Sequence, residues 1–135
     1  MKNKTTMFTS PLYITLPRKT KSDRKISLNL NYFRNLHYQT NNQSKKVYFE
    51  LMRPQLRGIF FFNPIEIEFV LYKSSKRKID RSNIICIVEK FFCDILVTLR
   101  TIEDDSDEFI KSTTYRTGGV DKDNPRVEIF VKEVK

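Results

Sequence analysis

Apolar and polar positions alternate or recur along this chain in ways that predict most of its elements. Leu12, Ile14 and Leu16 alternate with Tyr13 and Thr15 until Pro17, which predicts a short strand. The polar residues 1–10 before it are expected to fray. From Gln43 to Leu56, Val47, Leu51 and Leu56, with Tyr48, Phe49 and Met52 between them, favour an amphipathic helix that Pro54 kinks or ends and Gly58 closes. Asn63-Pro64 marks a turn. Ile65, Ile67, Phe69 and Leu71 then alternate with Glu66, Glu68, Val70 and Tyr72, the period of a strand.

A mostly apolar helix follows, with Ser82 as its natural N-cap and its end near Leu99. At about 100° per residue, Asn83, Ile87, Lys90 and Asp94 fall within an arc of roughly 60°. That narrow stripe is the expected form of a site wall and also of an ordinary half-exposed helix. Residues 109–116 and 126–134 alternate as two strands, joined by the turn-forming run from Thr117 through Gly118, Gly119 and Asp121 to Pro125. The fold class is therefore α+β, a small mixed sheet with two main helices in the order β-α-β-α-β-β, and the 135 residues form one domain.

Charge changes the picture most. Lys and Arg number 25 against 16 Asp and Glu, a net +9, which points to a polyanionic partner: nucleic acid first, an anionic membrane surface second. No window approaches the roughly 20 apolar residues of a membrane span, and the first residues lack a signal-peptide apolar region, so a cytoplasmic protein is expected. Cys86 and Cys93 are seven apart on the helix, about 10.5 Å, too far for a disulfide. They read as buried small hydrophobes. His37 is the single histidine, so there is no zinc spacing.

Three basic or amide-rich stretches suit phosphate contact. Arg18–Lys25, with Arg18 and Lys19 at its start, holds five basic residues and one acid, and reads equally as a solvated loop. Ser27–Asn42 sets Arg34, Asn35, His37 and Tyr38 among asparagines and aromatics; it suits a loop that touches DNA, or an ordered turn. The third is Lys76, Arg77 and Lys78, just before Asp80.

Acids punctuate this basic background at Asp80 and in the run Glu103–Glu108. Carboxylates in a basic setting suit metal-dependent phosphodiester chemistry, since a hard cation needs oxygen ligands while phosphate approaches. After the helix, residues 101–105 span up to about 17 Å if extended, against a helix of about 25 Å, which brings Asp104 and Asp105 back towards Asp80. Asp94 is too far from Asp80 to share its metal and is expected to pair with Lys90. Glu66 and Glu68 are expected to be solvated or salt-bridged, and the Asp121, Asp123, Asn124 spacing lacks the rest of a calcium loop.

DRSN at Asp80–Asn83, KFFCDIL at Lys90–Leu96, IEDD at Ile102–Asp105 and GGVDKDNPRVEI further on carry a resemblance to the RusA family of Holliday junction resolvases, over most of residues 12–134. The resemblance implies a homodimer that cuts four-way DNA junctions with Mg²⁺, for which Mn²⁺ can substitute, and a closing β-hairpin. It makes Asp80, Lys90 and Asp105 catalytic, sets Asp80, Asp104 and Asp105 on the metal, and lets Asn83 match the asparagine of the family's D-x-D-N. DNA would meet Arg18, Lys19, Arg34, Asn35, His37, Tyr38, Lys76, Arg77, Lys78 and Asn83. No small-molecule cofactor or membrane is implied.

The chain departs from the family at Ser82, where the second aspartate usually stands, and at Cys86, which has the lysine's spacing; Lys90 comes a turn later. Lys90, Asp94 and Asp105 keep the family's mutual spacing. A non-catalytic branched-DNA-binding descendant is the alternative to the enzyme.

Overall fold

The alternation at residues 65–72 produces the strand on which the fold is built. The computed structural model describes residues 5–134. In chain order the elements are β1 (Thr5–Ser10), β2 (Tyr13–Leu16), β3 (Arg24–Ser27), α1 (Leu30–Arg34), α2 (Tyr38–Leu56), β4 (Ile65–Lys73), α3 (Arg81–Thr98), β5 (Ile110–Val120) and β6 (Arg126–Glu133). The α+β class is as expected. Four strands form a mixed sheet in the order β1-β6-β4-β5, and β2 pairs with β3 in a separate antiparallel hairpin. One continuous core joins both sheets and all three helices.

Two expectations change here. Residues 5–10 do not fray: they are an edge strand in antiparallel register with β6, from Thr5 opposite Lys132 to Ser10 opposite Val127. Phe8 supplies the reason, being 1% exposed against Phe92 at 5.4 Å between ring centroids. Nor do the last two strands close as a hairpin. β5 runs parallel to β4 on one side and β6 antiparallel to it on the other. The connection from Asp121 to Pro125 therefore crosses the end of β4, two strand spacings or roughly 10 Å, which five residues easily span. Its Asp121 is held by Arg126 at 2.7 Å, and that guanidinium with the Asn124 N–H keeps the carboxyl below the usual carboxylate range.

α3 is wedged between the sheet and the α1–α2 pair, which explains why nine of its 18 residues are buried and why its sequence is apolar nearly all round. Neighbouring rings face opposite ways. Phe92 meets Phe8 and Phe69 on the sheet, while Phe91 meets Phe33 of α1 and Tyr48 of α2.

α2 begins five residues before the expected start. Its buried stripe is Ser44, Tyr48, Met52 and Leu56, four apart, whereas Val47 is half-buried and Leu51 is 51% exposed. Packing of that stripe carries the helix through Asn41, Asn42 and Gln43 despite modest propensity. Pro54 does not end the helix, which continues two residues to Leu56, and Gly58, at φ 75°, closes it as expected.

Candidate active-site cleft

Side chains at positions 86, 89, 90, 93 and 94 share one side of α3 because they are spaced three and four apart. β5 runs back alongside that side, and between them lies an open cleft of about 570 Å³. α3 contributes Cys86, Glu89, Lys90, Cys93 and Asp94, and the returning chain contributes Asp105, Asp107, Ile110 and Thr113. The expected polar stripe is thus partly present: Lys90 and Asp94 are exposed and Asn83 is half-buried, but Ile87 is buried.

Where the acidic loop meets the helix is decided by its first residues. The N–H groups of Thr101 and Ile102 both bond back to the Leu96 carbonyl, at 2.8 and 3.3 Å, and the Thr101 carbonyl accepts from Phe61 N–H at 3.0 Å. Ile102 is buried. These contacts tie the chain to the C-terminal end of α3, so Asp105 comes down beside Lys90, Cys93 and Asp94. The negative charges of Glu89, Asp105 and Asp94 add to burial in pushing the Cys93 thiol up to about 12.

The cleft therefore brings together Lys90, Asp94 and Asp105, and Asp80 is not among its lining residues. Asp80 is the N-cap of α3, its Oδ1 accepting from Ser82 N–H at 3.1 Å, where Ser82 was the expected cap. Fourteen residues of helix, about 21 Å, separate it from Asp94, and it does not line the cleft. Its charge does reach Cys86 at the near wall, where burial first, then Glu89 and Asp80, raise the thiol. Asp104 lies outside the lining; its Oδ1 accepts the Asp105 N–H at 2.8 Å and so shapes the turn. The ion pair expected between Lys90 and Asp94 is not one of the four formed among the described residues. Glu68 bonds Arg116 at 3.1 Å on the sheet face turned away from α3.

Glu89 and Tyr115 were missed. The Tyr115 hydroxyl of β5 donates to Glu89 Oε1 of α3, and its ring stands edge-on to Phe69 at 5.9 Å. Burial and the neighbouring carboxylate both raise the Tyr115 pKa, so the tyrosine stays a neutral donor. Lys45 and Lys46 were missed too. They line a second hollow, between α2 and α3, that Asp94 also borders. Only the four-residue stripe of α2, read as Ser44-Tyr48-Met52-Leu56, would have turned these lysines towards α3.

The basic residues named from sequence are exposed. Arg18 and Lys19 sit in the tip of the β2–β3 hairpin, where Arg18 Nε donates to the Ser22 carbonyl at 2.7 Å. Lys25 lies over the Tyr13 ring at 4.1 Å. Arg34 and Asn35 end α1, and His37 caps α2, its Nδ1 accepting from Gln39 N–H at 3.2 Å. His37 and Tyr38 stack at 4.7 Å, and Tyr38 is 67% exposed. The stretch expected as a loop is thus two helix ends. Lys76, Arg77 and Lys78 are exposed on the loop into α3, folded by a bond from Lys73 Nζ to the Arg77 carbonyl at 3.2 Å.

Among the described residues, no three His, Cys, Asp or Glu side chains are grouped closely enough to cage a metal ion. Among the described residues, no helix is long and apolar enough to cross a membrane. The chain matches no protein-family model, and no curated protein is significantly similar to it.

Proposed function

We propose that the chain is a Mg²⁺-dependent endonuclease that acts on branched DNA, four-way junctions in particular, with the α3–β5 cleft as its centre. The observation that carries the reading is that Asp94 and Asp105, with Lys90, line one open cleft in a protein of net charge +9. The resemblance of KFFCDIL and IEDD to the RusA family supports it, because those motifs supply these three residues.

The donor set suits Mg²⁺ without a protein cage. Mg²⁺ is commonly held by one or two carboxylates, with waters and substrate phosphate oxygens in its other positions. Asp94 and Asp105 would hold it here. A bound ion supplies an activated water and neutralises charge on the phosphate.

The chain's own residues do the rest. Lys90 brings positive charge to the phosphate from the same wall as Asp94. Glu89, which lines the cleft and is fixed by Tyr115, keeps a carboxylate ready to hold or accept a proton from water. Lys45 and Lys46, across α2, bind the DNA backbone next to Asp94, while the hairpin residues Arg18 and Lys19 and the loop residues Lys76, Arg77 and Lys78 hold more distant phosphates. Tyr38, stacked on His37 and exposed, offers a face to an unstacked base at the branch point. Asp80 keeps the start of α3 in place.

The test is a labelled synthetic four-way junction with Mg²⁺. The wild type should nick it and Asp105→Asn should bind without nicking. Binding with no nicking by either protein would leave the non-catalytic junction-binding reading.

A further inference from the structure

We propose that the hollow between α2 and α3 takes the base of an unpaired nucleotide on the strand whose phosphate enters the neighbouring cleft. The inference rests on the DNA reading and deepens it: Lys45 and Lys46 account for phosphate contact, and the apolar bowl beside them accounts for a base.

Phe91, Ile95 and Thr98 are spaced four and three apart on α3, so they share the side that faces α2, and Phe49 closes the bowl from α2. Its floor is preformed. Phe91 and Ile95 are each 3% exposed, and Phe91 is held edge-on by Phe33 at 5.4 Å and by Tyr48 at 5.5 Å between ring centroids. Phe49 is half-buried, which leaves part of its ring open. The hollow is about 590 Å³, within the ~300–1,000 Å³ of sites that hold small molecules, so it has room for a base together with its sugar. Stacking on a ring needs no particular base edge, and the Thr98 hydroxyl already donates to the Asp94 carbonyl at 2.8 Å. Capture is therefore by the face of the base.

Charge and position select the occupant. Lys45 and Lys46 line the hollow and neither is in an ion pair among the described residues, whereas Glu50 reaches Arg53 at 3.7 Å. A ligand that satisfies both halves has a flat apolar face and a negative charge at its edge, as a nucleotide has. Asp94 borders the hollow and the cleft alike. The two therefore flank one ridge of α3, a helix about 10–12 Å across with its side chains. A strand that crosses this ridge sets a phosphate beside Lys90 and an adjoining base against Phe49. Extruding a base costs least where it is already unpaired, so the hollow favours cutting at a branch point over cutting in continuous duplex.

The chain has no tryptophan, so Phe49→Trp places a single fluorescent reporter in the wall of the hollow. In the full chain, without Mg²⁺ so that nothing is cut, it is titrated with an oligo-dT strand of about 12 nucleotides and with an all-abasic strand of the same length, while the anisotropy of an end label reports binding. The oligo-dT strand should quench the tryptophan; the abasic strand should bind without quenching it. Thr98→Phe, at an exposed position, fills the hollow. Added to Phe49→Trp it should abolish the quenching, and alone it should weaken oligo-dT binding about tenfold, as loss of one stacked base does, with the abasic strand unaffected. This affinity comparison needs no tryptophan, so the test stands even where Phe49→Trp fails to fold; circular dichroism checks both variants. Binding without quenching, equal quenching by the two strands, or oligo-dT affinity unchanged by Thr98→Phe would overturn the proposal and leave the nuclease reading standing. Failure of both strands and of a four-way junction to bind would overturn the two together.

Discussion

Tyr115 of β5 donates its hydroxyl hydrogen to Glu89 of α3, and this contact joins the two walls of the cleft. Removing the hydroxyl with Tyr115→Phe leaves the ring against Phe69 in place, so the fold should survive with a loss of about 1.5 kcal/mol, the low end for a bond to a charged group. The freed Glu89 should raise the Mg²⁺ concentration needed for half-maximal nicking. Urea melts and a Mg²⁺ titration measure the two effects separately.

Cys93 gives a pH prediction. Its thiol has a folded pKa of about 12 against an ordinary 9.0. The unfolded chain therefore loses this proton first, and between those values the folded state binds more protons. Stability should be fully present below about pH 9 and fall as pH rises towards 12, the sign required when a folded pKa is raised. Cys93→Ala should flatten that part of the curve. At pH 8 the buried thiol should resist alkylation until the protein is unfolded, with Cys86, half-buried and also raised, reacting slowly.

Gly118 sits on edge strand β5 where a Cβ would lie 2.6 Å from the Tyr72 ring and 2.7 Å from Val70 Cγ1. Val70 is fully buried and cannot yield. Gly118→Ala should cost about 1–3 kcal/mol by overpacking, read as a lower melting temperature. An unchanged melt would mean that the Tyr72 ring moves aside from Arg126, over which it now lies at 4.2 Å.

Lys45 and Lys46 should reveal themselves in salt dependence. If each neutralises one phosphate, Lys45→Ala and Lys46→Ala should each lower the slope of log binding constant against log salt by about 1, for junction and linear duplex alike. Fluorescence anisotropy at several salt concentrations reads this; slopes equal to wild type would remove the α2–α3 hollow from the DNA path.

The elements held by local pattern were legible in the sequence. β4 and β6 follow from alternation, α3 from its apolar run, and the end of α2 from Gly58. What was illegible depended on distant partners. β1 exists because β6, more than a hundred residues later, pairs with it. The β5–β6 connection has hairpin chemistry, yet β4 lies between the strands. Asp80 and Ser82 are both good N-caps, and the extended backbone of Asp80, at φ −77° and ψ 101°, decides between them. At the site, Lys90 and Asp105 were visible as charges in a motif. Their companion was not, because it turns on which end of α3 the acidic loop meets, and the bonds from Thr101 and Ile102 to Leu96 set that.

The most direct test compares junction nicking by Asp94→Asn, Asp105→Asn and Asp80→Asn. Asparagine caps a helix as well as aspartate, so the last change removes a charge and leaves α3 intact. The expected result is a loss of about 100-fold or more for Asp94→Asn and Asp105→Asn, comparable to losing about 2.7 kcal/mol of transition-state stabilisation, with Asp80→Asn within tenfold of wild type. Abolished nicking in Asp80→Asn, alongside full activity in Asp94→Asn, would contradict the assignment of the cleft.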